Sequence, residues 1–262
     1  NGCVIQATFG STYVKSTPFS VTEHITSVVH DGANYVISVF NETDNTSTLY
    51  SGSGASPWTP LTNKAATLTS VCSVSASEAF VGGEDGLLLS SIDGGNSWQY
   101  KETGHRADFN ALYFKDLSGG VAILDNMLYA TQNGGGSWSL MDDTRVYTSL
   151  AKEHGNSDRA VAGTQSGEVV RIIMNNSYGI IPIVVAGGAV ISDVQVNGTT
   201  AFAAASSGIY YCGNYPNGGW SLISSSPAGV KKLAFTNSGG TIQGWFINAN
   251  DLLVSFTGTS FT

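Results

Sequence analysis

Residues 91–98 read SIDGGNSW, and residues 131–138 read TQNGGGSW. One short turn, closed by a tryptophan, is written twice at an interval of 40 residues. Aligning the chain on that closing aromatic extends the series in both directions. SGSGASPW ends at Trp58 and TYVKSTPF at Phe19; RIIMNNSY ends at Tyr178, GNYPNGGW at Trp220 and VSFTGTSF at Phe261. The seven aromatics follow one another at intervals of 39, 40, 40, 40, 42 and 41 residues. A near-constant period of this length marks a repeat architecture.

The rest of each period repeats too. A strand-like segment follows each turn: HITSVVHDG from 24, TLTSVCSVS from 67, FNALYFKD from 109, YTSLAKEHG from 147, VISDVQVNG from 190 and VKKLAFTNS from 230. A strand of small residues comes next, as in AFVGG, AVAGT and AFAAA. A third strand, such as LLLSS or MLYAT, runs into the turn, and a fourth, such as WQYKE or WSLMD, leaves it. Four strands per forty residues make one propeller blade. The expectation is an all-β chain, a single β-propeller domain over 1–262 built from four-stranded antiparallel blades. Seven turns favour seven blades; six first strands leave six as the alternative.

The SxDxGxSW pattern resembles the Asp box, or BNR repeat, of sialidase-like β-propellers. Ser91, Asp93, Gly95, Ser97 and Trp98 match it in full. Thr131, Asn133, Gly135, Ser137 and Trp138 match with Asn in the place of Asp, and the other five copies keep an aromatic and a few small residues. In its short repeats the chain is similar to the photosystem II stability and assembly factor family, and less similar to true sialidases. That resemblance implies a chaperone-like scaffold, although the family's basic patch is not recognisable here. The residues themselves imply a clasp. Asp93 accepts hydrogen bonds from its own turn, Gly95 supplies a backbone conformation that a Cβ penalises, and Trp98 packs back between neighbouring blades.

Composition narrows the function. Only 11% of residues are charged, and 19 acidic against 11 basic residues give a net charge of −8. No basic stripe with interleaved aromatics is present, so a nucleic-acid partner is not expected. The longest apolar stretch, GIIPIVVAGGAVI, is short and broken by Pro182, Gly187 and Gly188, so no membrane insertion is expected. Cys3, Cys72 and Cys212 have no metal spacing and read as buried or unbridged thiols. His24, His30, His105 and His154 form no metal motif, and no phosphate loop, dinucleotide fingerprint or GxSxG elbow occurs, so neither metal nor cofactor is expected. Sequons at Asn41, Asn45, Asn175 and Asn197, with Asn1 read as the start of a mature chain, point to a secreted or extracytoplasmic protein.

Propellers bind on the face made by two sets of loops. The loops entering each blade carry Glu23 and His24, then Glu102, His105 and Arg106, then Asp142, Asp143 and Arg145. The loops between second and third strands carry Glu84, Asp85, Asp125, Glu168 and Asp251. The candidate ligand-binding residues are therefore Glu102, His105, Arg106, Asp142, Asp143 and Arg145. Sialidase chemistry needs three arginines clamping a carboxylate, and of the four arginines only Arg106 and Arg145 fall on this rim. No catalytic residue is assigned. The expected function is recognition of a protein or glycan partner. The alternative is a glycosidase using two carboxylates among Glu84, Asp85, Glu102, Asp142 and Asp143.

Overall fold

The computed structural model describes residues 4–6, 14–16, 19–20, 22–30, 35–52, 59–64, 67–175 and 177–261. Cys3 and the Trp58 turn from residue 53 onward lie outside the described residues. The described elements are strands, with one 3-10 turn at Glu84–Gly86. No described helix is long and apolar enough to cross a membrane. The chain divides into two compact units, residues 1–125 with 129–140 and residues 126–128 with 141–262.

The first unit holds two complete four-stranded antiparallel sheets. Sheet 1 is Glu23–His30, Tyr35–Asn41, Thr46–Gly52 and Thr59–Lys64; sheet 2 is Leu68–Ser73, Ala79–Gly83, Leu88–Ser91 and Gln99–Lys101. Val4–Gln6 pairs with Val14–Ser16 in a separate two-stranded ribbon. Sheet 3 is Phe109–Phe114, Gly120–Leu124, Met127–Thr131 and Ser139–Asp142, and the division between units passes through its last two strands. The second unit holds sheet 4 (Tyr147–His154, Arg159–Thr164, Glu168–Met174, Tyr178–Val184), sheet 5 (Ile191–Asn197, Thr200–Ala205, Gly208–Cys212, Ser221–Leu222) and sheet 6 (Lys232–Ser238, Thr241–Ile247, Leu253–Thr257, Ser260–Phe261). In every sheet the strands lie in chain order, as successive hairpins require. The first strands of sheets 4 and 5 also pair in parallel, with Glu153 opposite Val196 and His154 opposite Asn197.

The small residues of the second strands have a packing cause. In sheets 2 to 5 these strands are buried along almost their whole length, and Ala79–Gly83 and Thr200–Ala205 are buried throughout; in sheet 6 burial alternates along Thr241–Ile247. Within the first unit, a Cβ added at Gly82 would stand 2.6 Å from Phe109 Cβ on the next sheet. Two periods later, within the second unit, one at Gly163 would stand 2.5 Å from Ile191 Cγ2. Neighbouring sheets approach so closely that a side chain on the second strand has no room at this position.

The first strands carry a feature the repeat pattern alone did not disclose. Their pairing with the second strand slips at Ile25/Ser27, Leu68/Ser70, Tyr147/Ser149 and Ile191/Asp193. The extra residue of these four bulges is Thr26, Thr69, Thr148 or Ser192; sheet 3 slips in the same way between Phe109 and Ala111, but its extra residue is Asn110, which has no hydroxyl. A bulge leaves backbone groups unpaired. In the four hydroxyl-bearing bulges the side chain bridges outward, donating to a carbonyl in or just before the first strand of the following sheet, at Leu68, Phe109, Ile191 and Val230 respectively. The next residue along accepts in return: Ser27 from Val71 N–H at 3.1 Å, Ser70 from Leu112 N–H at 3.1 Å and Asp193 from Leu233 N–H at 3.0 Å.

The two best-written turns close as their residues demand. Asp93 accepts from Ser97 N–H at 2.9 Å and Ser97 Oγ at 2.6 Å, and Ser91 Oγ donates to it at 2.9 Å. These bonds, those from Ser97 foremost, hold its carboxyl below the usual range. Asn133 takes the same place: Ser137 N–H donates to its Oδ1 at 2.9 Å, while its own Nδ2 donates to Ser137 Oγ at 2.9 Å. Changing Asp to Asn therefore reverses one bond and keeps the loop. Gly95 and Gly135 sit at φ 86° and 87°, in the left-handed region. Trp98 packs on a cluster containing Val36, Leu49, Leu68 and Val81, drawn from sheets 1 and 2. Trp138 meets Phe109 and Phe114 edge-on at 5.5 and 5.9 Å, and its Nε1 donates to Gly135 O at 3.1 Å. Cys72 and Cys212 are buried.

Candidate functional site

The six candidate residues fall into two arrangements, one in each unit. In the first, Asp85, Tyr100, Glu102, Thr103, His105 and Arg106 line an open groove of about 610 Å³. The loops that build it are pinned from below. Thr103 is buried; its hydroxyl donates to Gly86 O at 3.2 Å and accepts from His105 N–H at 3.2 Å. Gly86 has φ +74°, and a Cβ there would lie 1.9 Å from His105 O, so the two loops touch backbone to backbone. Asp85 N–H donates to Asp108 Oδ1 at 2.9 Å, and Asp108 N–H to Asp125 Oδ1 at 3.1 Å. His105 stands edge-on to Tyr129 at 5.1 Å. Above this frame Tyr100, Glu102 and Arg106 are exposed. Among the described residues Arg106 forms no ion pair.

Part of the rim charge has a conformational origin. Asp85, Asp125 and Asp251, all between second and third strands, have φ of 55°, 46° and 60°. Asp and Asn tolerate that left-handed region better than other side-chain-bearing residues, so turn geometry accounts for these carboxylates.

In the second unit Asp142 and Arg145 are joined, and Asp143 is exposed beside them. Asp142 is only 7% exposed. Its Oδ1 accepts from Thr144 N–H at 3.1 Å and Thr144 Oγ1 at 2.6 Å; its Oδ2 accepts from Arg145 Nη1 at 3.0 Å and the Tyr147 hydroxyl at 2.6 Å. Arg145 Nε donates in turn to Glu168 Oε2 at 3.1 Å. Burial alone would raise the Asp142 pKa, but the bonds from Thr144, Tyr147 and Arg145 outweigh it and bring it down to about 2. The Tyr147 ring is wholly buried, and burial together with its bond to Asp142 pushes the phenol pKa up. A tyrosine nucleophile needs access and an easily lost proton, and Tyr147 has neither. Asp142 is equally unfit as a glycosidase acid, a role that needs a raised pKa.

The remaining arginines are also engaged. Arg171 Nε and Nη2 each donate to buried Glu153 at 2.8 Å, Arg159 approaches the same carboxylate at 3.5 Å, and Arg171 lies over the Tyr215 ring at 5.7 Å. Three of the four arginines thus have carboxylate partners of their own, which leaves no three-arginine clamp. The Glu153 cluster was not anticipated from sequence; strand alternation along LAKEH, which turns Glu153 inward between outward Lys152 and His154, was its one signal. Among the described residues no three metal-ligating side chains come together.

No family model matches the sequence, and no curated relative matches it. Solved structures do resemble it. YCF48 bound to D1 peptide superposes with a TM-score of 0.66 at 12% identity, over 90% of this chain and 79% of that one. A GH74 enzyme from Niastella koreensis gives 0.66 at 14% identity, over 91% of this chain and 37% of that one. The extracellular domain of a hybrid two component system from B. thetaiotaomicron gives 0.64 at 12% identity, over 88% and 33%. This chain spans only about a third of the latter two. Likeness at such identity shows the fold alone, a β-propeller.

Proposed function

We propose that this chain is a non-catalytic, protein-binding propeller that seats an extended peptide in the groove of Asp85, Tyr100, Glu102, His105 and Arg106. The observation that carries the reading is the groove itself. Exposed charges of both signs and an exposed aromatic stand on loops fixed by Thr103 and Asp108, and rigid framing of adaptable side chains is what recognition requires. YCF48, whose structure holds a D1 peptide, has the same fold and supports a peptide as the ligand class. Asp142 and Arg145 enter this reading as the internal brace of their loop, and Asp143 as an exposed contact.

The family reading belongs to the same proposal. Residues 1–262 form one repeat domain of the Asp-box type, because the forty-residue period runs through both units without interruption. The ribbon of Val4–Gln6 with Val14–Ser16, upstream of Phe19, is our candidate for part of a seventh blade. A location outside the cytoplasm rests on the sequons.

Panning displayed random peptides against the wild-type chain tests the proposal. Selected peptides should lose at least roughly tenfold in affinity, ~1.4 kcal/mol, on Arg106→Ala or Glu102→Ala, with unchanged thermal melts because exposed charges add little to stability. Peptides that bind both variants as well as wild type would overturn the site. Turnover of chromogenic glycosides, abolished by Glu84→Ala, Asp85→Ala or Glu102→Ala, would overturn the non-catalytic reading.

A further inference from the structure

The second unit holds another concavity, of about 290 Å³, where three consecutive first strands run out. Its walls are Lys152 and His154 from sheet 4, Gln195 and Asn197 from sheet 5, and Phe235 and Thr236 from sheet 6. The volume is at the small end of ligand pockets, which span roughly 300–1,000 Å³.

Three properties converge there. The ionisable groups in the wall are Lys152 and His154, and among the described residues neither forms an ion pair. A wall without carboxylates runs against a composition of 19 acidic to 11 basic residues. The two carboxylates nearest in sequence are occupied elsewhere. Glu153 points to the opposite face of its strand and is gripped by Arg171, while Asp193 accepts the backbone N–H groups of Val194 and Leu233 at 3.0 Å each. Gln195, Asn197 and Thr236 present donors and acceptors together. Phe235 adds an apolar wall, fixed edge-on to buried Phe202 with ring centroids 4.8 Å apart.

We infer that this concavity binds a small carboxylate bearing hydroxyl groups, of the size of a single sugar acid. Lys152 meets the carboxylate, the amides and Thr236 meet the hydroxyls, and Phe235 covers the C–H face. The site is separate from the rim groove and stands whether or not that groove binds peptide.

The test is a titration of the ¹⁵N-labelled full chain with D-glucuronate, followed by amide chemical shifts, with D-glucose and inorganic phosphate in parallel. Saturable shifts confined to residues 152–154, 195–197 and 235–236 are expected. Lys152→Met and Thr236→Val alter exposed side chains and leave the fold intact; each should weaken glucuronate by roughly tenfold. Absence of saturable shifts overturns the inference. So does glucose binding as well as glucuronate, which removes the role of charge, or phosphate doing so, which leaves an anion site without selectivity for the hydroxylated body. Unchanged affinity in Lys152→Met overturns it as well.

Discussion

Asp142→Asn replaces one oxygen of the loop brace by an amide nitrogen and removes the charge. Both carboxylate oxygens receive two donors each, Thr144 N–H and hydroxyl on one side, Arg145 and Tyr147 on the other. Whichever way the new amide turns, its NH₂ faces two donors. If it faces Tyr147, a wholly buried hydroxyl loses its acceptor, a cost of ~1–3 kcal/mol. Proton linkage gives a second measure of the same contacts. These bonds lower the carboxyl to about 2 from its ordinary 3.8, and at ~1.4 kcal/mol per pKa unit the folded state gains ~2.5 kcal/mol from ionised Asp142 at neutral pH. The expected loss is therefore ~2–3 kcal/mol, since the two figures describe one set of bonds. The sign follows from a depressed acid pKa. The stabilisation is complete above the unfolded value near 4 and disappears as pH falls through the folded value near 2. Urea unfolding followed by tryptophan fluorescence, at intervals from pH 7 to pH 2, measures the gap between wild type and variant. The gap should be full at pH 7 and close below pH 4. Equal midpoints at pH 7, or a gap that does not narrow in acid, would refute the brace.

Trp138→Ala should cost ~3–5 kcal/mol by opening a cavity beside Phe109 and Phe114; Trp98→Ala should cost less, because Trp98 is only partly buried and its Nε1 has no hydrogen-bond partner among the described residues. Thermal melts of the two variants give the order. Gly155→Ala meets open space at φ +94° and should cost only backbone strain, ~1–2 kcal/mol, whereas Gly135→Ala would bring a Cβ to 2.2 Å from Leu88 Cδ2 and should be clearly worse. Equal melting temperatures for those two glycine variants would count against the close packing of the turn on sheet 2. Asp193→Ser installs the residue found at 27, 70 and 149. Burial raises the Asp193 pKa, so its charge opposes folding above that value and ceases to do so in acid. The variant should melt higher than wild type at pH 7, with the difference shrinking toward pH 4; a lower melt at pH 7 would show that the charge-assisted bond to Leu233 N–H outweighs burial.

The strands were legible because their alternation, small-residue second strands and aromatic-closed turns recur at one period. The turn chemistry followed from SIDGGNSW alone, down to the acceptor role of residue 93 and the left-handed glycine. The candidate site was legible only as a set of loops. Which of its charges meet solvent depends on side-chain partners brought from elsewhere: Glu168, 23 residues beyond Arg145, turns that arginine inward, while no comparable carboxylate reaches Arg106. The bulge hydroxyls were visible as TS at 26–27, 69–70 and 148–149 and SD at 192–193. They read as ordinary strand residues because a β-branched Thr suits a strand by propensity, and propensity does not distinguish a paired position from a bulged one. Glu153 went unread because a buried carboxylate is intelligible only once its two arginines are placed.

The outward reach of those bulge hydroxyls bears on how such a chain lengthens. Thr26, Thr69, Thr148 and Ser192 each grip a carbonyl about one period downstream. A period of this kind therefore carries both halves of a joint, a hydroxyl for the next sheet and a main-chain carbonyl for the previous one, although the period of sheet 3 has Asn110 at the hydroxyl's position. The receiving half is main chain, which every residue supplies, so a fresh tandem duplicate is compatible with its neighbours before any substitution accumulates. SIDGGNSW and GNYPNGGW can therefore differ in their turns while a hydroxyl some twenty residues upstream of each, Thr69 or Ser192, makes the same joint.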